Sequence, residues 1–144
     1  MKLIVRAATI DSIAEILPMM RAFYALEHIP FAESHSQPAL ERLIGDPERG
    51  RVFLVTLDEA IIGYCAVCFG YSLEFGGRDA FVVEIFLLEE YRGKGYGEAV
   101  LEFVAGEVRA LGVKALHLEV ERNNDRAQRL YSRLAAGDTV DVAL

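Results

Sequence analysis

The chain has 144 residues, 22 acidic against 15 basic side chains for a net charge of −7, and 53% hydrophobic residues. That is one domain's worth of chain with ample material for a core, which excludes a disordered segment, and an acidic balance without a basic block makes nucleic acid and anionic membrane surfaces poor partners. No apolar run reaches the length of a membrane span, and Met-Lys-Leu-Ile-Val-Arg is too short for the core of a signal peptide, so a soluble, cytoplasmic protein with a single domain over 1–144 is expected, with no nucleic-acid and no membrane partner.

Lys2 to Ala7 reads as a first strand. Thr9 is placed to cap the helix that follows, with Asp11 in its first turn and Ile13, Ile16, Leu17, Met20, Phe23 and Tyr24 as its apolar stripe. Pro18 falls inside that stripe and should kink the helix, because it removes one hydrogen bond. Glu27-His28-Ile29-Pro30-Phe31 is a break. Ser36 is expected to cap a second helix through Leu43, closed near Gly45-Asp46-Pro47. Arg51 to Leu57 and Ala60 to Tyr71 read as strands joined by a hairpin turn at Asp58-Glu59. Cys65 and Cys68 lie three apart in the second of these, so they face opposite sides of the sheet and share neither a disulfide nor a metal. His28, His35 and His117 make no ligand spacing with each other or with the cysteines, so no metal is expected.

After a turn at Gly76-Gly77-Arg78-Asp79, the run Phe81 to Leu88 reads as a buried strand. It leads into Arg92-Gly93-Lys94-Gly95-Tyr96-Gly97, and an amphipathic helix leaves it with Val100, Leu101, Val104, Val108 and Leu111 at helical spacing. Glycines at alternate positions uncover successive backbone N–H groups at the positive end of a helix, and Arg92 and Lys94 add cations. That combination suits a phosphate or pyrophosphate. The competing account is a tight strand-to-helix turn. A Walker loop is excluded because no Ser or Thr follows Lys94. A dinucleotide fingerprint is a closer rival, with Glu119 on the next strand where a ribose-binding acid belongs, but the glycines fall as Gly-x-Gly-x-Gly and Glu89 to Arg92 separate them from the strand. Gly112 is placed to end the helix. In Ala115 to Val120, Leu116, Leu118 and Val120 face the core and His117 and Glu119 the other side. Asn123-Asn124-Asp125 opens a last helix with Ala127, Leu130, Tyr131 and Leu134 on one face. Three strands in antiparallel sequence, then strand, helix, strand and helix, describe a mixed α/β sheet.

Arg92-x-x-Gly95-x-Gly97 resembles the pyrophosphate signature of the GNAT superfamily of acyl-CoA-dependent N-acyltransferases. Asn124-x-x-Ala127-x-x-x-Tyr131 is similar to that family's asparagine-and-tyrosine helix, Glu84-Ile85-Phe86-Leu87 to its fourth strand, and Arg6 with Asp11 to its opening strand and first helix. The resemblance covers the chain in the right order. It implies a GNAT-like, mixed, mostly antiparallel central sheet flanked by about four helices. It departs at the C-terminus, where Ala135-Ala136-Gly137-Asp138 stands in place of a Gly-Phe and Thr139 to Leu144 suffices for one short strand. A sheet edge left open in this way leads to the expectation of a homodimer, with Thr139 to Val142 near the two-fold axis.

The resemblance further implies transfer of an acetyl group from acetyl-CoA, a co-substrate, to a primary amine by direct attack in a ternary complex. Arg92, Gly93, Lys94, Gly95, Tyr96, Gly97 and Asn124 would hold the cofactor, and its pantetheine arm would pair with the backbone of Phe86, Leu87 and Leu88 as an added strand. Glu84 would collect the amine's proton, with Glu119 and Glu74 as competitors, and Tyr131 would protonate the departing thiolate. Tyr24, Glu27 and His28 border the expected acceptor site, and Glu27, Glu74 and Glu84 with the single base Arg78 would make it acidic. The acceptor is then a small-molecule amine or a protein or peptide amino group. Alternatives are a non-catalytic acyl-CoA-binding sensor on the same scaffold and a nucleotide-binding oxidoreductase.

Overall fold

The computed structural model describes residues 2–119 and 139–143. Their strands form one six-stranded sheet in sequential order, β1 (Leu3–Ala7), β2 (Gly50–Leu57), β3 (Ala60–Ser72), β4 (Gly77–Leu87), β5 (Ala115–Glu119) and β6 (Thr139–Ala143). Neighbours are antiparallel except β4 and β5, which run parallel. Helices α1 (Ile13–Leu26) and α2 (Glu33–Gly45) precede β2, and α3 (Tyr96–Ala110) joins β4 to β5. The expected fourth helix, at Asn123 to Leu134, lies outside the described residues.

Two cores result, one on each face of the sheet. Val5, Phe53, Val55, Val67 and Ala80 pack against Val100, Val104 and Val108 of α3. Val52, Leu54, Tyr64, Ala66 and Phe86 pack against Ile13, Ile16, Leu17 and Met20 of α1 and Leu40 of α2. β2 is covered on both faces, and its middle, Val52 to Val55, is accordingly apolar at every position.

The local chemistry explains the joints. Asp58 and Glu59 both take positive φ, 48° and 75°, as the two-residue hairpin between β2 and β3 requires. Lys2 donates its backbone N–H to the Asp58 carboxylate at 2.8 Å, which ties that turn to the start of β1. α3 ends at Gly112, φ 87°, with the Gly112 N–H on the Arg109 carbonyl and the Val113 N–H on that of Val108. This is the paired bonding of a Schellman cap, and it buries Val113.

Some expectations need correction. α1 runs through Pro18 to Leu26, in keeping with a stripe that reached Tyr24, and Pro18 sits on its exposed side. α2 starts at Glu33 rather than at Ser36, which lies buried one turn inside it; the Ser36 N–H already bonds the Ala32 carbonyl. Leu111 falls beyond the last turn of α3 and is exposed. The two cysteines read from the sequence as free and buried; Cys65 is buried, but Cys68 is only half-buried. The strand through Phe81 is not buried throughout: Phe81 and Val83 are 44% and 51% exposed. The cause is a bulge. Ala66 pairs with Glu84 and Val67 with Val82, so Val83 has no partner on β3.

Candidate active site

The site grows from that bulge. Among the described residues, parallel pairing of β4 with β5 runs from Asp79 and Ala115 to Val82 and Leu118, and β4 itself runs on to Leu87. The Leu88 N–H bonds the Ile62 carbonyl of β3 at 2.8 Å. Antiparallel alternation then turns the main-chain groups of Phe86 toward β3 and those of Ile85 and Leu87 away from it. The sequence pointed to Phe86, Leu87 and Leu88 for strand addition; of these, the main-chain groups of Leu87 face away from β3, as do those of Ile85. Phe86 instead buries its ring beside Tyr64 and Phe23.

A one-turn helix, Glu89–Tyr91, carries β4 into the glycine loop. Gly93 and Gly95 take φ of 74° and 87°, and Gly95 caps α3. The N–H groups of the first turn of a helix have no acceptor within it. Here that turn begins Tyr96-Gly97, and Arg92 to Gly95 are exposed. A Cβ built on Gly95 would meet no atom within 4 Å, so glycine serves the backbone conformation and the approach of something from outside rather than internal packing. Arg92 does not lie over the loop amides. Its Nε donates to the Leu87 carbonyl at 2.8 Å and its guanidinium lies 5.2 Å from the Phe86 ring centre, so it fixes the end of β4. Lys94 remains on the exposed loop.

Glu84 and Phe86 share the face of the sheet on which α1 and α2 pack. There Tyr24, in the last turn of α1, donates to Glu84 Oε2 at 2.6 Å, and Tyr64 of β3 donates to Oε1 at 2.7 Å. Burial, then the carboxylate, push both phenols well above the usual tyrosine range. They stay protonated and act only as donors here. Each Glu84 oxygen is thus oriented by one phenol and retains acceptor capacity for a ligand N–H. Phe31, from the segment between α1 and α2, stands edge-on to Tyr24 with ring centres 5.6 Å apart.

The other expected site residues divide. Glu27 is exposed where α1 ends, one turn beyond Tyr24, and His28 follows with φ 57°. Glu74 lies exposed in the β3–β4 turn, roughly 20 Å from Glu84 along the strand at ~3.3 Å per residue. Arg78 points to the α3 face and stacks on Phe69 at 4.3 Å, so it and Glu84 lie on opposite faces. Neither Glu74 nor Arg78 joins the Glu84 group. Tyr131 and Asn124 lie outside the described residues, as does the side chain of Glu119. Sequence reasoning missed Tyr64, because its meeting with Glu84 depends on the bulged register that pairs Ala66 with Glu84. It also missed the Asp79–His117 pair, 2.9 Å apart between β4 and β5.

A strand leading through a glycine loop into a helix start is the arrangement that the sequence motif described. Residues 18–136 match the model of the acetyltransferase (GNAT) family. The chain belongs to that family.

Among GNAT relatives, the bovine (Bos taurus) thialysine N-epsilon-acetyltransferase is 35% identical over 82 residues, which cover 57% of this chain and 48% of that protein. The Arabidopsis thaliana L-ornithine N5-acetyltransferase NATA1 is 30% identical over 108 residues, 74% of this chain and 46% of that one. The chain thus spans about half the length of the curated relatives it matches. A solved integron cassette protein from the mobile metagenome of Cole Harbour Salt Marsh superposes with a TM-score of 0.80 at 32% identity, over 90% of this chain and 80% of that one. Among the described residues there is no cluster of side chains able to hold a metal ion, and no helix is long and apolar enough to cross a membrane.

Proposed function

We propose that this GNAT protein transfers an acetyl group from acetyl-CoA to the terminal primary amine of a small cationic molecule, by direct attack within a ternary complex. The observation that carries the reading is the run of β4 from Glu84 to Leu87, past its last described pairing with β5 and directly upstream of the glycine loop. The residues present fit the co-substrate. The open approach to Gly95 and the first-turn amides of α3 suit its pyrophosphate, and the outward main-chain groups of Ile85 and Leu87 suit its amide-bearing arm. Acetyl-CoA supplies the acyl group, activated as a thioester.

The chain's own groups do the rest. The Leu87 N–H faces the slot and polarises the carbonyl under attack. Glu84, oriented by Tyr24 and Tyr64, draws in the ammonium form of the acceptor. Tyr131 returns a proton to the leaving sulfur. Relatives that act on thialysine and on ornithine support an acceptor whose reacting amine ends a short aliphatic chain. The cytoplasm is the proposed compartment.

The test is a thermal-shift series with CoA and NADH, followed by CoA-release assays on diamines, amino acids with terminal amines, aminoglycosides and peptide N-termini. CoA should stabilise the protein and a short diamine or diamino acid should turn over. Stabilisation by NADH alone would overturn the assignment; stabilisation by CoA without turnover on any amine would favour an acyl-CoA sensor.

A further inference from the structure

A hollow of about 600 Å³ lies away from the glycine loop, in the seam between α1 and α2. Cavities of this order hold small ligands. Its floor is apolar, made by the buried side chains of Ile13 and Leu17. The seam stays open because α1 presents Ala14 and Pro18 to it, and both are small. Asp11, Glu33 and Glu41 line it against a single base, Arg21, and none of the three carboxylates is ion-paired among the described residues. Carboxylates on a helix seam would by themselves be a solvated surface. The backbone adds a second feature. Pro18 has no N–H, so the Ala14 carbonyl, one turn earlier, lacks its helical donor. Both residues belong to the cavity wall, and that carbonyl is left for a donor from outside the helix.

One wall of the cavity is shared with the acceptor site. Phe31 lines it, with the Arg21 guanidinium 4.8 Å from its ring centre. The same ring stands edge-on to Tyr24 at 5.6 Å, and Tyr24 donates to Glu84 Oε2 at 2.6 Å. Tyr24 and Glu84 are not among the described residues that line the cavity. Phe31 thus stands between two polar sites and belongs to both. A ligand that fixes the position of this ring fixes how firmly Tyr24 holds Glu84.

The walls specify the ligand. An apolar floor suits a short aliphatic body. The excess of carboxylates favours a cation and repels an anion. The Ala14 carbonyl asks for an N–H, which a quaternary ammonium lacks. We propose that the α1–α2 cavity is a second ligand site, which takes a small aliphatic ammonium ion, and that its occupancy is passed to Glu84 through Phe31 and Tyr24. Binding in the cavity stands apart from the acyltransferase reading; the effect on acceptor affinity rests on it. No bond is made or broken at this site. Its ligand acts by ordering Phe31, and by linkage an acceptor held at Glu84 tightens the cavity ligand by the same factor.

The probe is N,N-dimethylbutylamine, a cation at neutral pH with one N–H, whose tertiary nitrogen forms no stable amide. Titrated into the protein with CoA present and followed by backbone-amide NMR, it should give saturable shifts around Ala14, Arg21 and Gln37. Asp11→Asn combined with Glu41→Gln should weaken that binding ~10-fold. Butyltrimethylammonium should bind less tightly, and butyrate should not bind. In steady-state assays the probe should lower the acceptor KM ~5-fold, the lower end of coupling between sites, with kcat little changed. Phe31→Leu should keep probe binding and lose the effect on KM. The Glu84 amide should shift with the probe in the wild type and not in Phe31→Leu, which reads the coupling without turnover. Shifts confined to Tyr24, Glu84 and Phe86, or binding unchanged by the double variant, would overturn the site. Saturable binding with no response at Glu84 and no change in KM would overturn the relay. Absence of turnover on every amine would overturn the transferase reading and leave the NMR titration to judge the cavity.

Discussion

The Tyr64 hydroxyl sits 2.7 Å from Glu84 Oε1 across the β3–β4 ladder, and the tyrosine itself is almost wholly buried. A buried phenol must find an acceptor, and the carboxylate is the one within reach. Tyr64→Phe should therefore leave Glu84 less well oriented. We expect stability to fall by about 1.5–3 kcal/mol, the range for a hydrogen bond to a charged group, and KM for a cationic amine to rise more than kcat falls. Denaturant titration and steady-state kinetics on the same preparation would check both.

Gly95 offers a sharper substitution. Its φ of 87° strains any residue with a side chain, and a side chain there would project into space that no other residue fills. Gly95→Val should fold with a loss of roughly 1–2 kcal/mol and lose the CoA-induced rise in melting temperature. Retention of that rise would place the pyrophosphate elsewhere.

Tyr131→Phe keeps the ring and removes the hydroxyl. If Tyr131 is the proton donor to the thiolate, turnover should fall ~10²-fold or more with CoA binding unchanged. Loss of CoA affinity at constant turnover would make it a binding residue instead.

The alkaline limb of stability should report the core. Burial pushes the Cys65 thiol from 9.0 up to about 12. Between those values the unfolded chain releases a proton that the folded chain keeps, so the folded state binds more protons and stability falls as pH rises. The slope from this one group is at most ~1.4 kcal/mol per pH unit. Tyr24 and Tyr64, shifted in the same direction, extend the loss above pH ~10. Urea midpoints measured from pH 8 to 11 should decline, and Cys65→Ala should flatten the part of the decline just above pH 9.

Assembly is the remaining expectation. β6 is the outer strand of the described sheet, paired only to β5, and an outer strand offers its other edge to a second copy. A homodimer with Thr139 to Val142 near its two-fold axis should appear in light scattering at micromolar concentration; a monomer there would count against it.

The glycine loop, the alternating strands and the apolar stripes of α1 and α3 were legible because each depends on local spacing. Gly112 was legible for the same reason, since a left-handed residue after a helix is a chemical requirement at one position. What was not legible lay across strands. Counting by twos from Arg78 puts Arg78 and Glu84 on one face, and only a bulge, which sequence alternation cannot show, puts them on opposite ones. The Asp79–His117 pair depends on the parallel register of β4 and β5, fixed through the intervening α3 rather than by anything written beside either residue. The start of α2 was misplaced because Ser36 has good capping chemistry, while the residue used, Ala32, has none.

Val83 has a meaning for how this protein could evolve. It is the surplus residue on β4, half-exposed, one step past the last described Cα pair of β4 and β5. Its deletion would return Glu84 to a regular ladder on the same face and let the two strands continue side by side. Such a chain would gain main-chain pairing and close the gap proposed for the acyl carrier. Selection for stability alone would thus favour losing a residue that selection for turnover must keep, so in this sheet the irregularity, more than any single side chain, is the heritable trait under functional constraint.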